Sequence, residues 1–294
     1  MQLHSTDLSW KKTHVVPLGD IQWIGEGHYS VSLGKLRENI ARALEYEKQG
    51  DRVLFLGMGD YIDFMSPSNR ARLQQADLYD TALDAIDQKA MELTQEIYDL
   101  ALAPTKGKWI GLVEGHHYKQ LATGETTDMV LCRMLGTPFL GTSAVVRLNF
   151  RHKDGYSMPV VLWVHHGCGG GQTSYYPIAR LEKVHADWEG IDVFLMGHTT
   201  KQGAVPKNRI RPVWGSRRPG DLKHRSAYLV GTGGYSKSYA EFSMQGRVPR
   251  GGYAEKGMMS AAVLGSPVIH IEPKRIHETN DKSVVSLQIS VEVW

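Results

Sequence analysis

The 294-residue chain is poor in cysteine, having only Cys132 and Cys168. Two distant thiols with no supporting pattern build no disulfide framework, so a cytoplasmic setting is expected. No apolar run reaches the roughly 18 residues that a membrane span requires, and the polar stretch Met1 to Lys12 lacks the apolar core of a signal peptide. No membrane partner is therefore expected. A dominant sign of charge is also missing: 34 Lys and Arg stand against 31 Asp and Glu, and a net +3 does not by itself imply a polyanionic partner. Two glycine runs fail the familiar phosphate-loop spacings. No Gly-Lys-Ser/Thr follows Cys168-Gly169-Gly170-Gly171, and Ser236 stands where Gly231-Thr232-Gly233-Gly234 would need its last glycine. With no repeat, low-complexity tract or convincing linker, residues 1–294 read as a single domain.

What the chain does contain is a set of apolar runs that stop at Gly, Asp or His. The central one is Val53-Leu54-Phe55-Leu56-Gly57-Met58-Gly59-Asp60-Tyr61-Ile62-Asp63. It has the length of a buried strand, and its glycines turn the backbone so that Asp60 projects past the strand's carboxyl end, where open α/β sheets keep their sites. Alone, this reads first as a strand stopping at an acidic turn. Four more segments share the construction: Val15 to Gln22 through Asp20, Trp109 to His117, Val160 to Gly167 through His165-His166, and Val193 to Thr200 through His198. Independent strands rarely all end in metal-ligating side chains by accident.

Taken in order, Asp20-Ile21-Gln22, Gly59-Asp60-Tyr61-Ile62-Asp63, Gly115-His116-His117-Tyr118, His165-His166-Gly167 and Gly197-His198-Thr199-Thr200 make the sequence resemble the calcineurin-like metallophosphoesterases. That resemblance implies an α/β fold, an αββα sandwich of two mixed β-sheets flanked by helices. It also implies a phosphate mono- or diester substrate, hydrolysed by attack of a metal-activated water, with a nuclease among the members. Carried over by position, the metal ligands are Asp20, Gln22, Asp60 and Thr200 at one site and Asp60, His116, His166 and His198 at the other, with Asp60 as the bridge. His117 and Asp63 are the catalytic positions, His117 protonating or stabilising the leaving oxygen.

The departures from the family pattern fall on one side. Gln22 and Thr200 stand where the family has His, while His116 stands where it has Asn. Carboxylates with an amide and a hydroxyl make a harder, weaker site than a carboxylate with three imidazoles, so unequal affinities are expected. One or two divalent ions are expected, Mn²⁺, Zn²⁺ or Fe²⁺, with Mg²⁺ less suited. The alternative is a non-catalytic or single-metal binding protein on the same fold. His28 and His165 are additional candidate ligands. Neighbouring strand residues face opposite ways, so only one of His165 and His166 reaches the metals, and His166 is preferred because it directly precedes the glycine. Tyr118 follows His117 where many relatives carry an acid, so His117 needs another partner to orient it.

Residues 13 to 18 are expected to form the first strand. Leu33, Leu36, Ile40 and Leu44 then space a helix stopping near Gly50. A helical insertion covers about 71–103. Thr126 or Thr127 caps a short helix that Gly136 ends, and strands at 145–150 and 160–164 pair around Lys153-Asp154-Gly155. Residues 177–188 read as a helix, and 227–230, 268–271 and 284–293 as strands. Eight cations against Asp221 alone make 201–225 a basic loop, which either meets a polyanion, nucleic acid included, or is simply solvated. Gly169 and Gly170 of the glycine run near the site mouth and Arg217 and Arg218 of the basic loop are the candidate substrate contacts. Cys168 reads as a packed or loop cysteine, with a ligand or redox role as the other reading.

Overall fold

A computed structural model describes residues 1–25, 30–76, 78–214, 220–245, 247–278 and 282–294. In chain order, β1 (Gln2–Ser9) and β2 (Thr13–Leu18) lead to α1 (Leu33–Lys48) and β3 (Arg52–Gly57). Next come α2 (Pro67–Gln75) and α3 (Asp80–Ile97), the latter running through a π turn and a 3-10 turn at Pro104 into β4 (Trp109–Leu112). Then follow α4 (Thr127–Leu135), β5 (Ser143–Arg151), β6 (Ser157–His165), α5 (Tyr176–Asp187) and β7 (Val193–Met196). The remainder comprises β8 (Gln202–Val213), β9 (Asp221–Thr232), the short β10 (Met244–Gln245) and β11 (Val248–Pro249), α6 (Tyr253–Lys256), β12 (Val268–Glu278) and β13 (Lys282–Glu292).

The strands form two mixed sheets, ordered β1-β5-β6-β7-β9-β8 and β13-β12-β2-β3-β4, beside the small β10-β11 hairpin. Strand alternation explains the layers. Val15, Leu56 and Ile110 of one sheet meet Val146, Leu162, Val164 and Leu195 of the other in the central core. Val16, Leu18 and Phe55, one residue out of phase, pack outward against Leu36 and Ile40 of α1, Leu93 and Ile97 of α3 and Leu131 of α4. On the opposite outside, Trp163, Phe194 and Leu229 cover Ile178 and Leu181 of α5. Helix, sheet, sheet, helix is the resulting order.

Local signals act as expected at α4, where the Thr126 hydroxyl accepts from Met129 N and Gly136 closes the helix at φ 70°. Two expectations need correction. The first strand is Gln2–Ser9, a half-exposed edge strand paired in parallel with β5, whose polar residues hid its alternation. The basic stretch 201–225 is not simply a loop: most of its described residues form the β8-β9 ribbon, with Gln202 opposite Thr232 at one end and Val213 opposite Asp221 at the other. Because β9 runs parallel to β7, and only Tyr228 to Gly231 pair with it, the rest of the ribbon extends past the end of β7 that lies away from Gly197. At about 3.3 Å per residue, its 12-residue strands carry the far end about 36 Å from the root. Among the described residues no helix is long and apolar enough to cross a membrane.

Candidate metal centre

The carboxyl ends of β2, β3, β4, β6 and β7 all open at one edge of the sandwich, and the loops leaving them are zipped together through the backbone. Asp20 N donates to Gly59 O at 2.9 Å, Gln22 N to Asp60 O at 2.9 Å and Tyr235 N to Asp20 O at 2.9 Å. Among the described residues seven other than glycine have positive φ, and five of them sit here: Asp20 (48°), Gln22 (56°), Asp60 (53°), His198 (69°) and Thr200 (53°). Left-handed backbone costs a non-glycine residue on the order of 1–3 kcal/mol, so the fold concentrates its strain at this edge. Glycines make the close approach feasible. A Cβ on Gly59 would stand 2.6 Å from His166 Nδ1, and one on Gly234 2.6 Å from Asp20 Cβ.

Two groups of side chains present ligand atoms within 4.8 Å of one another: Asp20, Asp60 and His166, and His116, His166 and His198. The amides of His116 and His117 donate to Asp60 Oδ1, and His198 N donates to Asp20 Oδ2 at 2.8 Å. Each carboxylate thus has one oxygen held by backbone. Asp20 Oδ1 is buried without a hydrogen-bond partner among the described residues, and Asp60 Oδ2, equally buried, faces the His166 and His117 rings at 3.2 Å and 3.9 Å.

The imidazoles are oriented from behind. His166 Nδ1 donates to Met58 O at 2.7 Å, leaving Nε2 facing Asp60 Oδ2 at 3.2 Å and His198 Nδ1 at 3.3 Å. His198 Nε2 donates to Gly169 O at 2.8 Å, which leaves its Nδ1 to face His116 Nδ1 at 3.2 Å. Ligating histidines are held in this way by their second nitrogen. Bare nitrogens and carboxylate oxygens facing one another this closely repel unless a cation or a proton lies between them, so the donor set fits divalent metal.

Electrostatics agree. Burial pushes Asp20 up to about 7, helped by Asp60 and opposed by His166. At Asp60 burial acts upward, but the hydrogen bond and charge of His166 outweigh it and hold the carboxyl below its usual range. His166 is drawn up to about 9 by Asp60 against its own burial, while burial and its imidazole neighbours push His116 down to about 4.

His117 stands beside these two groups. Its Nδ1 lies 2.6 Å from Asp63 Oδ1 and its Nε2 3.9 Å from Asp60 Oδ2. Burial works against its protonation, but the Asp63 hydrogen bond and the Asp60 charge prevail and raise its pKa. Asp63 is therefore the orienting partner that Tyr118 does not supply.

The structure brings Asp20, Asp60, Asp63, His116, His117, His166 and His198 together. Gln22 and Thr200 lie in the same loops, half-buried, with the Thr200 hydroxyl donating to Thr199 O at 2.7 Å. His166 belongs to both groups, so the Asp20 group contains an imidazole that the sequence assigned only to the other site. His165 points away, accepting from Gly167 N at 2.7 Å and stacking on Trp163. Gly169 contributes its carbonyl to His198, and Gly170 is exposed with open space around it. His28, Arg217 and Arg218 lie outside the described residues.

Sequence reasoning missed Asp128, whose Oδ2 accepts from Gly115 N at 3.0 Å and whose carboxyl burial pushes up to about 7. It missed Arg70 as well, which reads locally as part of a polar connector. Asp128 is the first-turn acid of α4, a common placement that carries no functional signal of its own.

No family model matches this sequence, and no curated protein matches it. Among solved structures it is similar to Chaetomium thermophilum Vps29, at 9% identity over 95% of this chain and 96% of that chain, with a TM-score of 0.28. A likeness that slight carries no argument, and the site rests on its own geometry.

Proposed function

We propose that this protein is a metal-dependent phosphoesterase that hydrolyses a phosphate mono- or diester. The observation that carries the reading is the meeting of two ligand groups at His166, with Asp20 and Asp60 bringing buried carboxylate oxygens to one of them and the His117 and Asp63 pair alongside. Asp20, Asp60, His116, His166 and His198 would hold the ions, and mixed nitrogen and oxygen donors suit Mn²⁺, Fe²⁺ or Zn²⁺. Bound there, divalent cations supply neutralisation of phosphate charge and acidification of water. His117 carries its proton at Nε2, on the side facing Asp60, and delivers it to the leaving oxygen. Asp63 holds the ring by its Nδ1–H and stabilises the imidazolium, so the proton to be given stays on the nitrogen nearest the centre. The far end of the β8-β9 ribbon lies too distant to grip a small substrate at the site, which leaves the loops around Gly169 as the nearer substrate surface.

A second reading, a single-metal binding protein, is favoured by Gln22 and Thr200, which bring no imidazole to the Asp20 side. Hydrolysis of bis(4-nitrophenyl) phosphate and 4-nitrophenyl phosphate with Mn²⁺, with Asp60→Ala in parallel and metal content measured on both proteins, separates the two. Turnover by the wild type alone supports the enzyme, and the preferred ester distinguishes diesterase from monoesterase. One retained ion and no turnover with Mn²⁺, Zn²⁺ or Mg²⁺ overturns it in favour of binding.

A further inference from the structure

Helix α2 is unusual in burying none of its side chains, so core packing does not account for it. Ser66 starts it, accepting from Asn69 N at 3.3 Å, and Pro67 fixes its first turn. That start aims Arg70 at the loop after β4. A single guanidinium nitrogen, Nη1, meets three backbone carbonyls: Met65 O at 2.7 Å, His116 O at 2.6 Å and Tyr118 O at 3.1 Å. The guanidinium lies 4.0 Å over the Tyr118 ring, which fixes its plane. Between the two carbonyls of that loop, His117 O accepts from Phe64 N at 3.0 Å and Met65 N at 3.2 Å.

Every carbonyl from His116 to Tyr118 is therefore held by the segment running from Phe64 to Arg70, while the amides of His116 and His117 are held by Asp60. The peptide that presents one candidate ligand and the candidate proton donor is clamped on both sides. Its outer side is clamped by a cation on a surface helix.

We propose that Arg70 is a positioning residue for the metal centre, setting the His116-His117 loop so that the His116 imidazole joins the ion shared with His166 and His198. The inference rests on the metal-binding part of the function proposed above, and not on hydrolysis. Linkage makes the relation reciprocal: an ion that draws His116 into place also steadies the carbonyls that hold Arg70, so metal occupancy orders α2. Removal of such an orienting contact typically lowers metal affinity 10- to 100-fold.

The test titrates Mn²⁺ and Zn²⁺ into metal-stripped full-length protein and compares wild type, His116→Ala, Arg70→Met and Arg70→Lys, with the fold of each checked by circular dichroism. Arg70→Met, which keeps length and loses the donors, is expected to weaken by 10- to 100-fold the same binding step that His116→Ala weakens. In the His116→Ala background it costs nothing further. Arg70→Lys, with three hydrogens on one nitrogen, restores part of the loss. In hydrogen exchange, metal slows the α2 amides of the wild type but not those of Arg70→Met. Equal loss at every binding step, or full affinity in Arg70→Met, overturns the proposal, as does a wild type that takes up neither ion. If the ions bind as expected while no ester is hydrolysed, the phosphoesterase reading falls and the assignment of Arg70 stands.

Discussion

Gly115→Ala tests how closely the centre is built. A Cβ at Gly115 would fall well inside contact distance of Asp60 N and Oδ1, and 2.9 Å from Asp60 Cα. Two of those atoms are backbone, so no rotamer change relieves the overlap. The Asp60 amide must retreat by roughly 1 Å to reach ordinary contact in a close-packed interior. That movement pulls Asp60 Oδ1 from the amides of His116 and His117 and turns Oδ2 away from His166. The expected outcome is a loss of about 1–3 kcal/mol in chemical denaturation of the stripped protein, from overpacking, and a fall in Mn²⁺ affinity of about 10- to 100-fold. Gly111→Ala is the matched control. Its Cβ would meet Leu140 Cγ at 2.6 Å and Cδ1 at 2.7 Å, side-chain atoms that can shift, so it lowers stability by a similar amount and leaves metal affinity unchanged. Wild-type Mn²⁺ affinity in Gly115→Ala, or equal metal loss in Gly111→Ala, would show that the packing of Gly115 against Asp60 does not set the metal centre.

Asp63→Asn keeps an acceptor for His117 Nδ1 but removes the charge, so kcat for the preferred nitrophenyl ester should drop about 100-fold at constant metal content, and an unchanged kcat would exclude Asp63 as the partner. Asp128, raised from the usual 3.8 to about 7 by burial, binds a proton in the native state that the unfolded chain releases. Wild-type stability therefore falls as pH rises from about 4 to 7, by at most roughly 4 kcal/mol, relative to Asp128→Asn in urea titrations across that range. Parallel pH curves for the two proteins would contradict this. On the ribbon, Arg211 lies directly opposite Lys223. Arg211→Glu replaces a like-charge pair with an opposite one and should stabilise the hairpin by about 0.2–1 kcal/mol, read as slower amide exchange in β8 and β9. Thr126→Ala removes the acceptor for Met129 N and should cost about 1 kcal/mol in denaturant unfolding.

Features that depend on neighbours along the chain are legible in its order of residues. Apolar runs of strand length, helical spacing from Leu33 to Leu44, the Thr126 cap and the Gly136 stop are local signals, and they account for both sheets' central strands and their helices. Alternation showed that only one of His165 and His166 can face the edge, because neighbouring strand residues point opposite ways, and the glycine after His166 selected it. The candidate ligand types at the strand ends could be read along the chain as well. Other features were decided only by the tertiary structure, since they join residues far apart in the chain. Asp63 reaches His117, Arg70 reaches the carbonyls around it, and Asp128 caps Gly115 N, each across a gap that no periodicity spans. The sharing of His166 between the Asp20 group and the His198 group follows from how two sheets pack face to face, and sequence spacing is blind to that packing. The basic stretch shows the limit most plainly. Its composition was visible as charge, but pairing register made it a ribbon, and the parallel run of β9 beside β7 sent its far end away from the site.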